Sequence, residues 1–172
     1  MFSHKFKDFI IKNSVKKRLS NVKHIASTNS VQTIGIIFDE SQNTHREKLM
    51  NEIKKWQLSP LSIEFIVFKD KVKKTEVFDY SVFSNKDITW NASFTNAEVN
   101  QFSAKNFDLL ISYYDEEKAA LLLLTQISKA NFKVGFSSVD HRLNHFLIQT
   151  EIDKSATFAE ELFKYLKILK KI

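Results

Sequence analysis

From residue 33 onward, short apolar runs alternate with amphipathic stretches, and that alternation predicts strands interleaved with helices. The strand candidates are 33–38 (TIGIIF), 61–68 (LSIEFIVF), 107–113 (FDLLISY) and 132–136 (FKVGF). Weaker patterns stand at 77–83 and 145–149. The four clearest runs are apolar on successive residues, which marks strands covered on both faces. Between them, Thr44 with Glu47, Thr95 with Glu98 and Thr157 with Glu160 have the capping-box spacing. In that motif each side chain satisfies the other residue's free backbone N–H, so three helix starts are predicted there. Asp115, Glu116 and Glu117 predict a fourth, because negative charge suits the positive end of a helix. The last helix carries Phe158, Leu162, Tyr165, Leu166 and Leu169 on one stripe.

The first twenty residues follow a different rhythm. Phe2, Phe6, Phe9, Ile10, Val15 and Leu19 recur near helical spacing, with Lys and Arg between them. A polar stretch at 21–30 follows, ending in STNS, which reads as a linker. The expected architecture is α/β. A single three-layer, Rossmann-like domain over 31–172 holds a mainly parallel sheet of about five strands, preceded by a basic amphipathic helix or arm at 1–26. No internal repeat or further domain boundary is visible.

Charge sharpens that division. Residues 1–26 contain seven lysines and arginines and one acid, a net charge of +6, and the whole chain is also +6. The remainder is balanced. The cations are Lys5, Lys7, Lys12, Lys16, Lys17, Arg18 and Lys23, and the acid is Asp8. Such a leader suits a polyanion, and RNA or a ribonucleoprotein particle is the expected partner. An anionic membrane surface is the rival, with Phe2, Phe6, Phe9 and Ile10 inserted among the lipids. The plainer reading is a helix docked on the sheet whose lysines serve solubility.

The absence of cysteine excludes disulfides, cysteine zinc sites and thiol catalysis. No apolar run approaches the roughly 18 residues of a membrane span, and lysines interrupt any secretory hydrophobic region. These features lead to the expectation of a soluble, cytoplasmic, bacterial-looking protein. A basic, acid-poor leader also loosely fits a mitochondrial presequence.

The two glycines, Gly35 and Gly135, both fall inside predicted strands. Phosphate-cradling loops need glycine at a strand-to-helix turn, so a P-loop and a G-x-G-x-x-G dinucleotide site are excluded. Close packing or a bulge explains these glycines better.

Ligands of open α/β sheets bind beyond the carboxyl ends of the strands. Those ends carry Asp39, Glu40 and Ser41, then Tyr113, Tyr114 and Asp115, then Ser137, Ser138, Asp140 and His141. A pocket around Asp39, Tyr113, Tyr114, Asp115 and Ser137 is the candidate small-molecule or enzymatic site. Helix capping, turns and rim packing are the plainer roles for the same residues. Trp90, in the loop 85–91 (NKDITWN), is a candidate stacking platform, or else covers the core edge. A phosphoacceptor receiver is excluded, because no lone Asp ends the third strand and no Lys follows the fifth. His141 and His145 lie four apart, but on a loop leading into a strand, where that spacing is too long for one metal. No G-x-S-x-G elbow presents a serine. No catalytic residue, metal ligand or cofactor is assigned, and a non-enzymatic binding protein is the leading expectation.

Two resemblances bear on this reading. The basic leader, TIGIIFD at 33–39, FSNKDITW at 83–90, FDLLI at 107–111 and SKANFKVG at 128–135 together resemble an uncharacterised family of small Bacteroidetes-type α/β proteins. That resemblance implies no activity. Residues 107–136 are also similar to part of the lipopolysaccharide heptosyltransferases, where a strand leads through an Ala/Leu-rich helix to an A-x-x-x-V-G-F strand. This implies a Rossmann-like arrangement only, because the Gly-Asp turn of those enzymes is replaced by FDESQ at 38–42.

Overall fold

A computed structural model of the chain describes residues 2–19, 30–41, 45–56, 62–73 and 75–172, with side chains from residue 6 onward. Lys23, the Lys5 side chain, Thr44 of the first capping box, the segment 57–61 around Pro60 and most of the 21–30 linker lie outside them.

Six strands form one parallel sheet: β1 (Thr33–Asp39), β2 (Ser62–Phe68), β3 (Val82–Phe83), β4 (Phe107–Tyr113), β5 (Ala130–Phe136) and β6 (Phe146–Ile148). Their order is β3-β2-β1-β4-β5-β6, and every neighbouring pair is parallel. This is the doubly wound order of Rossmann folds, with its reversal between β1 and β4. The helices are α1 (Phe2–Arg18), α2 (Arg46–Lys55), α3 (Ala97–Ala104), α4 (Ala119–Ile127) and α5 (Ser155–Ile168). One face of the sheet buries Ile34, Ile36, Leu109 and Val134 with α2 and α5. The other buries Ile37, Ile66 and Leu110 with α1, α3 and α4. The expected three-layer α/β domain is therefore the architecture observed.

α1 is part of this body. Residues Ala119 to Thr125 of α4 are all buried, and AALLLLT has no polar face to offer water. A helix apolar all round must be covered all round, and α1 packs against α4 as part of that cover. It does so with Ile11 and Val15, both buried. Burying such side chains contributes about 1.5–3 kcal/mol each.

The helix starts differ from those expected, for tertiary reasons. Asn96, not Thr95, caps α3, its Oδ1 accepting the N–H groups of Glu98 and Val99. Thr95 is held elsewhere, donating its own N–H to the Asp87 carbonyl at 2.8 Å. α4 begins at Ala119, after the acidic triplet, because Asp115 and Glu117 accept hydrogen bonds from the β5–β6 loop. α5 begins at Ser155, and its Phe158 N–H already bonds the Lys154 carbonyl, so Thr157 lies inside the helix. A capping box does form where none was expected. Ser84 and Asp87 close the 3₁₀ turn Asn85–Asp87 reciprocally.

The glycines are places of close packing. A Cβ on Gly35 would stand 2.7 Å from the Phe107 ring, and one on Gly135 would stand 2.6 Å from the Asn144 amide nitrogen. Neither glycine has a positive φ. One buried polar network ties α4 to the sheet. The Tyr114 hydroxyl lies 2.7 Å from that of Thr125, which lies 3.2 Å from that of Ser112. The Lys133 ammonium donates to the Thr125 and Gln126 carbonyls at the end of α4, a favourable position for a cation.

Candidate functional site

The switch in strand order opens a crevice between the carboxyl ends of β1 and β4. A cavity of about 130 Å³ occupies it. Asp39 enters from the end of β1, Tyr114 and Asp115 from just past β4. Three of the residues expected to form a pocket therefore meet. The other walls are His45, which precedes α2, Glu116 and Lys118, which precede α4, and Ile152, in the turn before α5.

Asp39 is anchored twice. Its Oδ1 accepts the Ser41 N–H at 2.9 Å, and its Oδ2 lies 2.7 Å from the Lys118 ammonium. Lys118 also lies 3.5 Å from Asp70, so its charge is shared between two carboxylates. Asp115 and Glu116 have no cation placed against them by any ion pair among the described residues. Among the described residues, the walls thus carry three carboxylates against one ammonium, itself engaged. His45 Nδ1 is buried without a hydrogen-bond partner, and no side chain caps α2 or α4 at this end. Tyr114 contributes its body only. Burial drives its hydroxyl pKa up, and the group is committed to Thr125.

The remaining pocket candidates stand elsewhere. Tyr113 projects into the other layer, against Phe38, Phe136 and Phe158, and donates its hydroxyl to the Ile152 carbonyl at 2.8 Å. Burial, with Asp153 and Asp115 nearby, raises its pKa. Ser137 is exposed and is not part of the cavity wall. Trp90 is exposed in a tight 89–93 turn, with the Lys7 ammonium 5.9 Å from its ring. Glu40, deeply buried beside Asp39, is neutralised by Arg46 at 3.1 Å. No cluster of three or more potential metal ligands occurs among the described residues.

His45, Lys118 and Ile152 were not marked by the sequence. They stand at helix starts and in a turn, and converge only once β1 and β4 are known to be neighbours.

The cations of α1 divide into two groups. Lys12 and Lys16 share the Glu117 carboxylate, at 3.2 and 2.5 Å, and Lys7 donates to the Ile88 carbonyl. Burial opposes the Glu117 charge, but hydrogen bonds from Lys16 and Lys12 outweigh it and lower the pKa. Lys17 and Arg18 are exposed and make no ion pair among the described residues.

A family model described as "Family of unknown function (DUF6913)" matches residues 7–169. The chain belongs to this family. The match runs from Lys7, within the first half of α1, to just past α5, so most of the leader helix and the whole crevice lie within it. No curated protein and no solved structure matches significantly. The resemblance to an uncharacterised family is thereby shown, while the local likeness to heptosyltransferases has no counterpart among these comparisons. Among the described residues, no helix is long and apolar enough to cross a membrane.

Proposed function

We propose that this domain is a small-ligand-binding protein whose site is the crevice between β1 and β4, and that its ligand presents a cationic or donor-rich head such as a primary amine. One observation carries the reading: a cavity stands at the switch point with Asp39, Asp115 and Glu116 in its walls and a single, doubly paired ammonium. The unpaired carboxylates of Asp115 and Glu116 accept hydrogen bonds, and the partnerless His45 Nδ1 offers a further polar contact. Phosphate groups suit such walls poorly, and no glycine turn is present to hold them. A cavity of this size suits a compact molecule.

Nucleic-acid binding draws on fewer free cations than the charge of the leader implies. Lys12, Lys16 and Lys7 already have partners within the fold, which leaves Lys17 and Arg18 among the described side chains. The charge-driven part of nucleic-acid affinity comes from cations that neutralise phosphates, so the crevice is the better-supported site.

Thermal-shift and calorimetric titration test the proposal. Ethylamine and putrescine should raise the unfolding temperature in proportion to the logarithm of their concentration. Inorganic phosphate and AMP should not, and Asp115→Asn should abolish the amine effect. No amine response, or the same response in the variant, overturns the reading.

A further inference from the structure

We propose that the solvent-facing side of α1 docks the protein on an anionic lipid surface. The proposal rests on how α1 divides its apolar residues. At 100° per residue, Ile11 and Val15 point one way, and they are 2% and 1% exposed against α4. Phe6 and Ile10 point the opposite way with Phe9 beside them, and they are 60%, 37% and 62% exposed. The helix is therefore apolar on two sides, and among the described residues the fold covers only one.

The charge around this second side selects its occupant. Asp8, the single acid of the helix, is half-buried and turned inward toward Ala119, with its Oδ1 buried. α1 therefore presents no carboxylate beside Phe6, Phe9 and Ile10, while Lys17 stands exposed about two turns beyond Ile10 on the same side, with Arg18 exposed at the helix end. Lys12 and Lys16 flank the same side and remain about one-third exposed beside Glu117. Protruding apolar side chains ringed by ammonium groups complement a plane that is hydrocarbon beneath and anionic above. Trp90 lies at the same end of the helix, beside Lys7, and an exposed indole suits the headgroup level.

A single-stranded nucleic acid fits less well. Its binding sites are grooves that follow the backbone, with aromatic platforms inside them. This surface is the convex ridge of one helix, and it includes an isoleucine that cannot stack on a base.

Vesicle flotation of the 172-residue chain tests the proposal, with phosphatidylcholine alone and with phosphatidylcholine containing 30% phosphatidylglycerol. The chain should float with the anionic vesicles and not with the neutral ones, and more weakly at high salt. The double variant Phe6→Ser/Phe9→Ser should lose about tenfold or more of that binding, with an unchanged unfolding temperature because neither ring is in the core. Ile168→Ser, an exposed apolar residue of α5, should bind like the parent. No flotation, equal flotation on both vesicle types, or undiminished binding by the double variant overturns the proposal. So does binding of bulk cellular RNA that Lys17→Glu/Arg18→Glu abolishes, the Phe variant retains and the vesicles do not compete. Failure of the amine titration leaves this result untouched, because the crevice and the helix face share no residue.

Discussion

The half-buried carboxylate of Asp8 lies near the backbone N–H of Ala119, so the one acid of the leader helix faces the open end of α4, with its Oδ1 buried and without a hydrogen bond. Lys118, the residue preceding α4, provides no side-chain cap of its own. Asp8→Ala should therefore destabilise the protein by about 0.3–1 kcal/mol, the usual worth of a carboxylate near a helix N-terminus, as read by urea unfolding.

Asp8→Asn should behave differently, because it keeps an acceptor and removes a charge. Burial raises the Asp8 pKa above 3.8 against the pull of the nearby Ala119 N–H. A raised acid favours folding while protonated, and that contribution is lost as pH rises through its folded value. The Asn variant should thus match or exceed the parent at pH 7, and its stability should fall less between acid and neutral pH. A less stable Asn variant at pH 7 would show that the Asp8 charge is needed there.

The two sides of α1 should respond unequally to truncation. Ile11→Ala opens a cavity against α4 and should cost about 2–5 kcal/mol. Ile10→Ala, one residue earlier and exposed, should lie within about 0.5 kcal/mol of the parent. Denaturant midpoints for the pair decide the matter, and equal effects would mean that α1 is not seated on α4.

Gly135→Ala should destabilise by about 1–3 kcal/mol through overpacking, because its Cβ would meet the Asn144 amide at 2.6 Å. Both polar atoms of that amide are buried and without hydrogen bonds. Removing them forfeits little, so Asn144→Ala should rescue Gly135→Ala, and the double variant should be more stable than the sum of the single changes implies.

Lys133 links stability to alkaline pH. Burial lowers its pKa to about 8, and its ammonium meets the Thr125 and Gln126 carbonyls. The unfolded chain holds this proton up to about pH 10.5, so stability should rise with pH once the folded-state lysine begins to lose it. Urea unfolding from about pH 7.5 to about pH 9.5 should show that rise, and Lys133→Met should flatten it.

Much of the sheet is legible in the sequence because its strands are buried on both faces. β1, β2, β4 and β5 begin or end within two residues of the apolar runs that announce them. Helix starts are not, because capping spacing is a local signal and tertiary partners override it. Thr95 is held by the Asp87 carbonyl and Glu117 by two lysines. The seating of α1 turns on Ile11 rather than its neighbour Ile10, a distinction that hydropathy cannot make. The absence of any polar position in AALLLL was the available clue. At the crevice, the strand-end rule finds Asp39, Tyr114 and Asp115 because it needs only local sequence. It misses Lys118, whose part depends on β1 and β4 lying side by side.

The sheet tapers to two stubs, with two residues in β3 and three in β6. Each outer margin therefore offers another chain only a few backbone groups to zip onto. Six parallel strands rich in isoleucine, valine and phenylalanine would otherwise invite stacking into fibres, so the brevity of the outermost pair acts as a built-in stop to runaway strand addition.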